Sequence, residues 1–446
     1  MEIVKAKKAL KFSVDLRLST PLMIRSGKTG DFTDSEIERC GEGKLHINGY
    51  VWASLMRRCL SRIEGAEAMS RDIGDYEPEK VSEIGVSPFW CEASFVELQP
   101  ADIRPGIKVD RAMGAVSGGA LYSDEIVSPG YDCTLNFNYF CEEPEETKKN
   151  LLSALWVLNE GIENIGGGWS YGYGRLKVQK VRIRELNLCQ PADREILWKY
   201  DNFTWESDEV WEQKKAGLPA IRRQWEKIRV SAKISKGQLL CIATTLPPSD
   251  LKDFSKENFP DAFVFRRSNI NGSGKAEEEI VITGKAIRQA LFSVPVERML
   301  RTQGENVCLD SSKSSNCECK RCQWFGSVDS RGRIAIADAP VSGAETAVLN
   351  RIQLCEHSMQ NMNLFTGEFL SNGRFEFDIL IDRAEETESK ELLKKVLHIC
   401  EEIKKEAPPG WHRIGGTSTC TGQIEIKDYT LAQGGQKRSV AHRFTI

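Results

Sequence analysis

The sequence predicts an α+β protein made of two copies of a β-α-β-β-α-β unit, and two observations carry that expectation. At 446 residues the chain exceeds the ~250 to 300 residues at which single cores stop growing. The same succession of strand, aspartate-bearing loop, helix, long polar segment, helix and glycine-rich turn also occurs twice, which is the order of a ferredoxin-like unit met in duplicate. With 40% hydrophobic and 28% charged residues, both copies have the material for a packed core.

Each copy opens on a segment that alternates apolar and polar residues, Lys11 to Leu18 in the first and Arg229 to Ile234 in the second, as a half-buried strand does. A loop with an aspartate just before a short segment ending in arginine follows: Asp34 to Arg39, and Asp261 to Arg266 or Arg267. The first helices are expected over Val51 to Ile63 and Ala286 to Leu300, where Leu55, Met56, Cys59 and Ile63 fall at helical spacing. Lys108 to Val127 and Asn350 to Leu370 read as long loops returning into strands. Helices over Thr147 to Ile162 and Glu388 to Ile403 then lead to glycine turns at Gly166-Gly167-Gly168 and Gly415-Gly416. Domains are accordingly placed at 1–189 and 228–446. Between them, 190–227 is an ordered connector, rich in Trp, Glu, Lys and Arg and poor in proline.

The bulk numbers exclude several classes. No apolar run approaches the ~18 to 20 residues of a membrane span and no secretory core follows Met1, so a cytoplasmic address without membrane partners is expected. A formal net charge of -3 argues against free-standing, nonspecific nucleic-acid binding, which needs a clustered excess of cations. Most of the 14 cysteines are scattered singly, but Cys308, Cys317, Cys319 and Cys322 are grouped. Four thiolates among Ser, Asn and Lys have little apolar company to bury with. They supply the soft donors of one closed, structural zinc site at about 305–326.

Taken with the element order, the Cys-Glu-Cys-Lys-Arg-Cys-Gln-Trp-Phe-Gly run from Cys317 to Gly326 resembles the zinc-binding insertion of fused backbone subunits of type III CRISPR effectors, within the RAMP superfamily. The resemblance covers nearly the whole chain, twice. It implies two ferredoxin-like (RRM-like) RAMP domains in tandem, each with a thumb hairpin that enters the guide–target duplex, and the zinc insertion in the second. It implies a crRNA guide, a complementary target RNA and other effector subunits as partners, and endoribonuclease activity that uses the 2′-hydroxyl of the RNA itself. A divalent cation such as Mg is implied at the cleavage site. Asp34 and Asp261 occupy the place of the family's cleavage aspartate, with Asp31 and Asp250 ranked behind them.

The commonplace reading of a loop aspartate is a cap or a solvated turn; the matched position in both copies is what favours catalysis. Guide contacts are expected from Lys28, Asn48, Arg57, Arg58, Lys108, Arg111, Arg266, Lys285 and Arg288, and from the glycine turns through Gly167, Gly168, Tyr171, Arg175, Gly415 and Gly416. For any one of these cations the alternative is a solvated helix face. The five histidines have no catalytic spacing and are given no role. Two rival functions stay open: a noncatalytic guide scaffold of the same fold, and a pre-crRNA processing endonuclease.

Overall fold

The computed structural model describes residues 7–30, 33–73, 87–97, 102–109, 116–199, 205, 207–210, 225–244, 246–249, 259–308, 317–327, 330–355, 357–383, 386–405, 413–415, 421–433 and 436–439. Asp31, Asp250, Arg111 and Gly416, and the side chain of Lys108, lie outside the described residues.

The first repeat runs β1 (Lys8–Leu18), α1 (Gly49–Leu60), β2 (Phe89–Cys91), β3 (Asp102–Val109), β4 (Val116–Ile126), β5 (Asp132–Cys141), α2 (Pro144–Asn159) and β6 (Leu176–Asn187). Its sheet has the order β2-β5-β1-β6, all antiparallel, with Ser207–Val210 beyond β6. This is the ferredoxin-like arrangement. Asn48 starts α1 by accepting the Tyr50 N–H at 3.3 Å, as N-caps do. Trp52, Leu55, Met56, Cys59 and Leu60 form the helix's buried stripe. Pro144 at the first turn of α2, with Glu145 and Glu146 behind it, suits the exposed amide dipoles there. Both helices lie over Phe12, Val14 and Leu16 of β1 in one core. On the other face Lys11 is buried and gives its ammonium to Leu197 O at 2.7 Å. The connector, helical at Pro191–Ile196, thus covers part of the first sheet.

The second repeat runs β7 (Trp225–Ile234), β8 (Arg266–Ile270), β9 (Ala276–Ile282), α3, α4 (Lys320–Phe325), β10 (Ile334–Ile336), β11 (Ala339–Leu354), β12 (Asn361–Asp382), α5 (Thr387–Lys404) and β13 (Ile424–Gln433). Helix α3 comprises Gly284–Ile287, a π-wound stretch Arg288–Ser293, and Val294–Thr302. The widened winding sits just before Pro295, whose missing N–H cannot complete an ordinary turn. The sheet order β10-β12-β7-β13 repeats that of the first copy.

The two long segments read as loops returning into strands form hairpins, β3–β4 and β11–β12, as the resemblance implied. The second half of β12, with Phe375, Phe377, Ile379 and Ile381, is a core strand; the outer parts of both hairpins project beyond the cores, so no one-sided apolar alternation marks them as strands. Exposed apolar residues sit along both: Ile107 and Leu121 on the first, and Leu349, Ile352, Leu364 and Phe365 on the second.

Individual hydrogen bonds also repeat. Leu22 and Val127 exchange two backbone bonds, as do Leu240 and Leu370. Gly174 donates to Pro21 O and accepts from Ile165, while Gly422 donates to Leu239 O and accepts from Ile414. The copies therefore correspond residue by residue around their glycine turns.

They also pack on each other. Arg62 lies between Glu163 of its own repeat and Asp382 of the second. Arg104 of β3 meets Asp338 at 2.8 Å. Arg331 stacks 3.9 Å over the Trp169 ring. Gly172 is left-handed (φ 70°) and a Cβ there would sit 2.6 Å from Ala337 Cα, so only glycine lets the first glycine turn approach the second repeat this closely.

Candidate nucleic-acid interface and metal centre

Asp34 and Asp261 make the same contacts at the root of their hairpins. Asp34 donates its N–H to Ser123 O at 2.9 Å, and its Oδ2 accepts the Ser123 N–H at 2.7 Å. Asp261 donates to Thr366 O at 2.7 Å, and its Oδ2 accepts the Thr366 N–H at 2.7 Å. Next to them, short parallel bridges join Ser35 to Asp124 and Ala262 to Gly367. Both aspartates are exposed, and the second oxygen, Oδ1, has no hydrogen-bond partner among the described residues. Each carboxylate is thus fixed by one oxygen while the other faces solvent.

Two partners of these segments are not in the sequence reading. Glu125, two residues beyond Ser123, accepts the Ile37 N–H at 2.9 Å and pairs with Arg39 at 2.5 Å. Glu368, two residues beyond Thr366, accepts the Val264 N–H at 2.9 Å and takes both Arg266 amines at 2.8 and 2.6 Å. Burial alone would raise the Glu368 carboxyl; Arg266 and the Val264 N–H outweigh it and hold it low. Ser/Thr-x-Glu at equal spacing in both hairpins was the available signal.

The expected guide contacts divide by exposure and by partner. Lys28 is exposed beside the Asp34 loop, with its carbonyl accepting the Glu36 N–H. Arg57 is half-buried and Asn48 caps α1. Arg58 is bonded to Glu163, Ser54 and the Asn164 carbonyl. Arg266 is committed to Glu368, and buried Arg288 donates to Phe325 O. Lys285 contacts Tyr122 Oη and lies 5.8 Å from the Tyr171 ring; burial, with Arg104 nearby, brings its ammonium down to about 8.

In the first glycine turn, Gly167 gives its N–H to Met23 O at 2.8 Å and Gly168 precedes the short 3-10 turn Trp169–Tyr171. Gly166 and Gly415 are both left-handed, and a Cβ would meet Met23 O at 2.4 Å in one and Cys241 O at 2.0 Å in the other. Close approach of backbone to backbone is reason enough for glycine at these places. Arg175 carries a buried Nη2 without a partner among the described residues, beside a groove of about 390 Å³ between the repeats.

The sulfurs of Cys308, Cys317, Cys319 and Cys322 lie within 4.8 Å of one another, with Cys308 and Cys322 3.3 Å apart. Zinc at 2.3 Å from four thiolates needs sulfurs ~3.8 Å apart, so the cluster fits a tetrahedral ion. Four protein donors close the coordination shell, which makes such an ion structural. Burial works against ionisation of Cys319, but N–H groups of Cys308 and Cys322 and neighbouring thiols bring it down to about 7. Cys319 caps α4, and α4 inserts Trp324 and Phe325 into the second core.

Residues 72–177 and 271–423 match the RAMP superfamily, more than half of the chain and once in each repeat. The chain belongs to the RAMP superfamily. No curated protein matches it. As a RAMP protein with two ferredoxin-like domains, it takes its place among CRISPR-associated RNA-binding subunits that work in assemblies. Among the described residues, no helix is long and apolar enough to cross a membrane.

Proposed function

We propose that this RAMP protein is a crRNA-binding backbone subunit of a type III CRISPR effector and that it cuts complementary target RNA at two places, beside Asp34 and beside Asp261. The modules are 1–189 and 228–446, with 190–227 between them. The observation that carries the reading is the duplicated aspartate at the hairpin root, exposed and held by one carboxylate oxygen in both copies. A carboxylate so placed can orient the 2′-hydroxyl of a target nucleotide toward the adjacent phosphate. A divalent cation such as Mg, if bound there, would offset charge on the phosphate. The exposed apolar residues on the hairpins suit insertion beside bases. Lys28, Arg57, Lys285 and the Tyr171 rim are offered as guide contacts, and base pairing supplies sequence choice. The four cysteines hold one zinc ion that fixes α4.

A specific observation also favours the noncatalytic scaffold: each aspartate already works as a cap on a hairpin N–H. Asp34→Asn and Asp261→Asn separate the two readings, because asparagine keeps the acceptor and removes the charge. In the reconstituted guide-loaded complex each variant is expected to lose its own product by roughly 10²-fold or more, with target binding kept. An unchanged product ladder would leave the chain a scaffold.

A further inference from the structure

We infer that Glu125 and Glu368 are positioning residues, each setting the aspartate of its own repeat for cleavage; this rests on the reading of Asp34 and Asp261 proposed above. Alternate residues of a strand share a face. Ser123 and Glu125 therefore grip one segment together, and Thr366 and Glu368 grip the other. From the aspartate, the clamped N–H is three residues on (Ile37, Val264) and the clamped arginine five residues on (Arg39, Arg266). The spacing is identical in both repeats. Each aspartate-bearing segment is pinned at two points, so the carboxylate cannot slide along the hairpin.

A buried ion pair is a poor device for stability alone, since apolar residues of similar volume often serve as well. The Glu368–Arg266 pair is buried and the Glu125–Arg39 pair more exposed; a pair kept at the same place in two otherwise divergent copies, whatever its burial, points to geometry as its use. The clamps differ in strength. The Glu368 side chain is 0% exposed and its Arg266 partner 16%, against 17% for Glu125 and 32% for Arg39. The second site therefore depends more heavily on its clamp.

The test uses the guide-loaded complex with end-labelled complementary target, and compares single-turnover rates for each product and target affinity. Glu368→Leu is expected to slow the product assigned by Asp261→Asn by roughly 10-fold or more, since displacements near 1 Å can cost 10²-fold. The other product and target affinity stay at wild type. Glu125→Leu does the same to the other product, by a smaller factor. Glu368→Gln, which keeps an acceptor for the Val264 N–H, falls between wild type and Glu368→Leu. A purely structural role would move affinity or both products together. Should Glu368→Leu fail to assemble, Glu368→Gln decides: a rate below wild type at that product alone supports the clamp, and a wild-type rate overturns it. The two readings fail separately. If the aspartate variants leave the ladder unchanged, the cleavage reading is wrong; if they remove products and the glutamate variants do not, only the clamp is.

Discussion

Purified protein is expected to carry one zinc per chain, and replacing Cys319 and Cys322 together by serine should abolish that binding and destabilise the second repeat. The four sulfurs already lie within 4.8 Å of one another. A tetrahedral ion would turn these crowded thiols into four ligands. The consequence reaches the core because Cys322, Trp324 and Phe325 are buried on one short helix. Arg333 N–H also bonds to Trp324 O at 2.8 Å just ahead of β10. Losing the ion frees α4, and with it the wall against which β10 joins the sheet. Structural zinc contributes directly to folding free energy, so a loss on the order of 5 kcal/mol and a Tm lower by roughly 10 °C or more are expected. Elemental analysis with thermal unfolding checks this. A metal-free wild type whose Tm ignores chelators would remove the ion from the account.

The element order was legible because each core-facing element carries its own period: the strand alternation of β1 and β7, and the helical stripe of α1 with Leu55, Met56 and Cys59. Helix ends moved by a few residues where caps decide them, as at Asn48 and Pro144. A hairpin in each copy was implied by the resemblance alone; the residues did not mark its strands, because strands outside a core need no one-sided pattern. The aspartates were findable, since a carboxylate followed at fixed distance by arginine recurs. Their glutamate partners were passed over, because a lone charge on a strand ordinarily reads as solvated, although the repeated Ser/Thr-x-Glu marks Glu125 and Glu368. Arg58, Arg266 and Arg288 show the converse. A cation on a helix or beside a loop looks the same in sequence whether it faces RNA or, as here, a carboxylate (Arg58, Arg266) or a backbone carbonyl (Arg288), and only the tertiary partner tells them apart. For the same reason nothing local marked Arg62 and Asp382, which are 320 residues apart.

Arg62→Ala should cost about 3–5 kcal/mol, the usual penalty for breaking a buried charge cluster by removing one partner. Arg62 holds Glu163 at 2.6 Å and Asp382 at 2.7 Å, with those carboxylates only 2% and 7% exposed. Arg331 remains near both, at 2.9 Å from Glu163 and 3.9 Å from Asp382, but it is a third exposed and does not replace the lost bidentate contact. Because Arg62 and Glu163 belong to the first repeat while Arg331 and Asp382 belong to the second, the loss falls on their junction. Urea unfolding is therefore expected to split from one transition into two. The pH dependence has a definite sign. Burial alone would raise the Asp382 carboxyl, but Arg62 and Arg331 outweigh it and hold it below the ordinary carboxylate range. Its contribution is therefore complete above the unfolded value near ~3.9 and is lost as pH falls through the lower folded value. Without Arg62 that carboxyl rises, and stability should begin to fall at higher pH than in wild type. A double-mutant cycle with Asp382→Asn should return a coupling of roughly 1–3 kcal/mol. A single unfolding transition displaced by less than about 1 kcal/mol, with an unmoved acid midpoint, would show that the repeats are held together by the apolar contacts around Trp169, Ala335 and Leu380 instead.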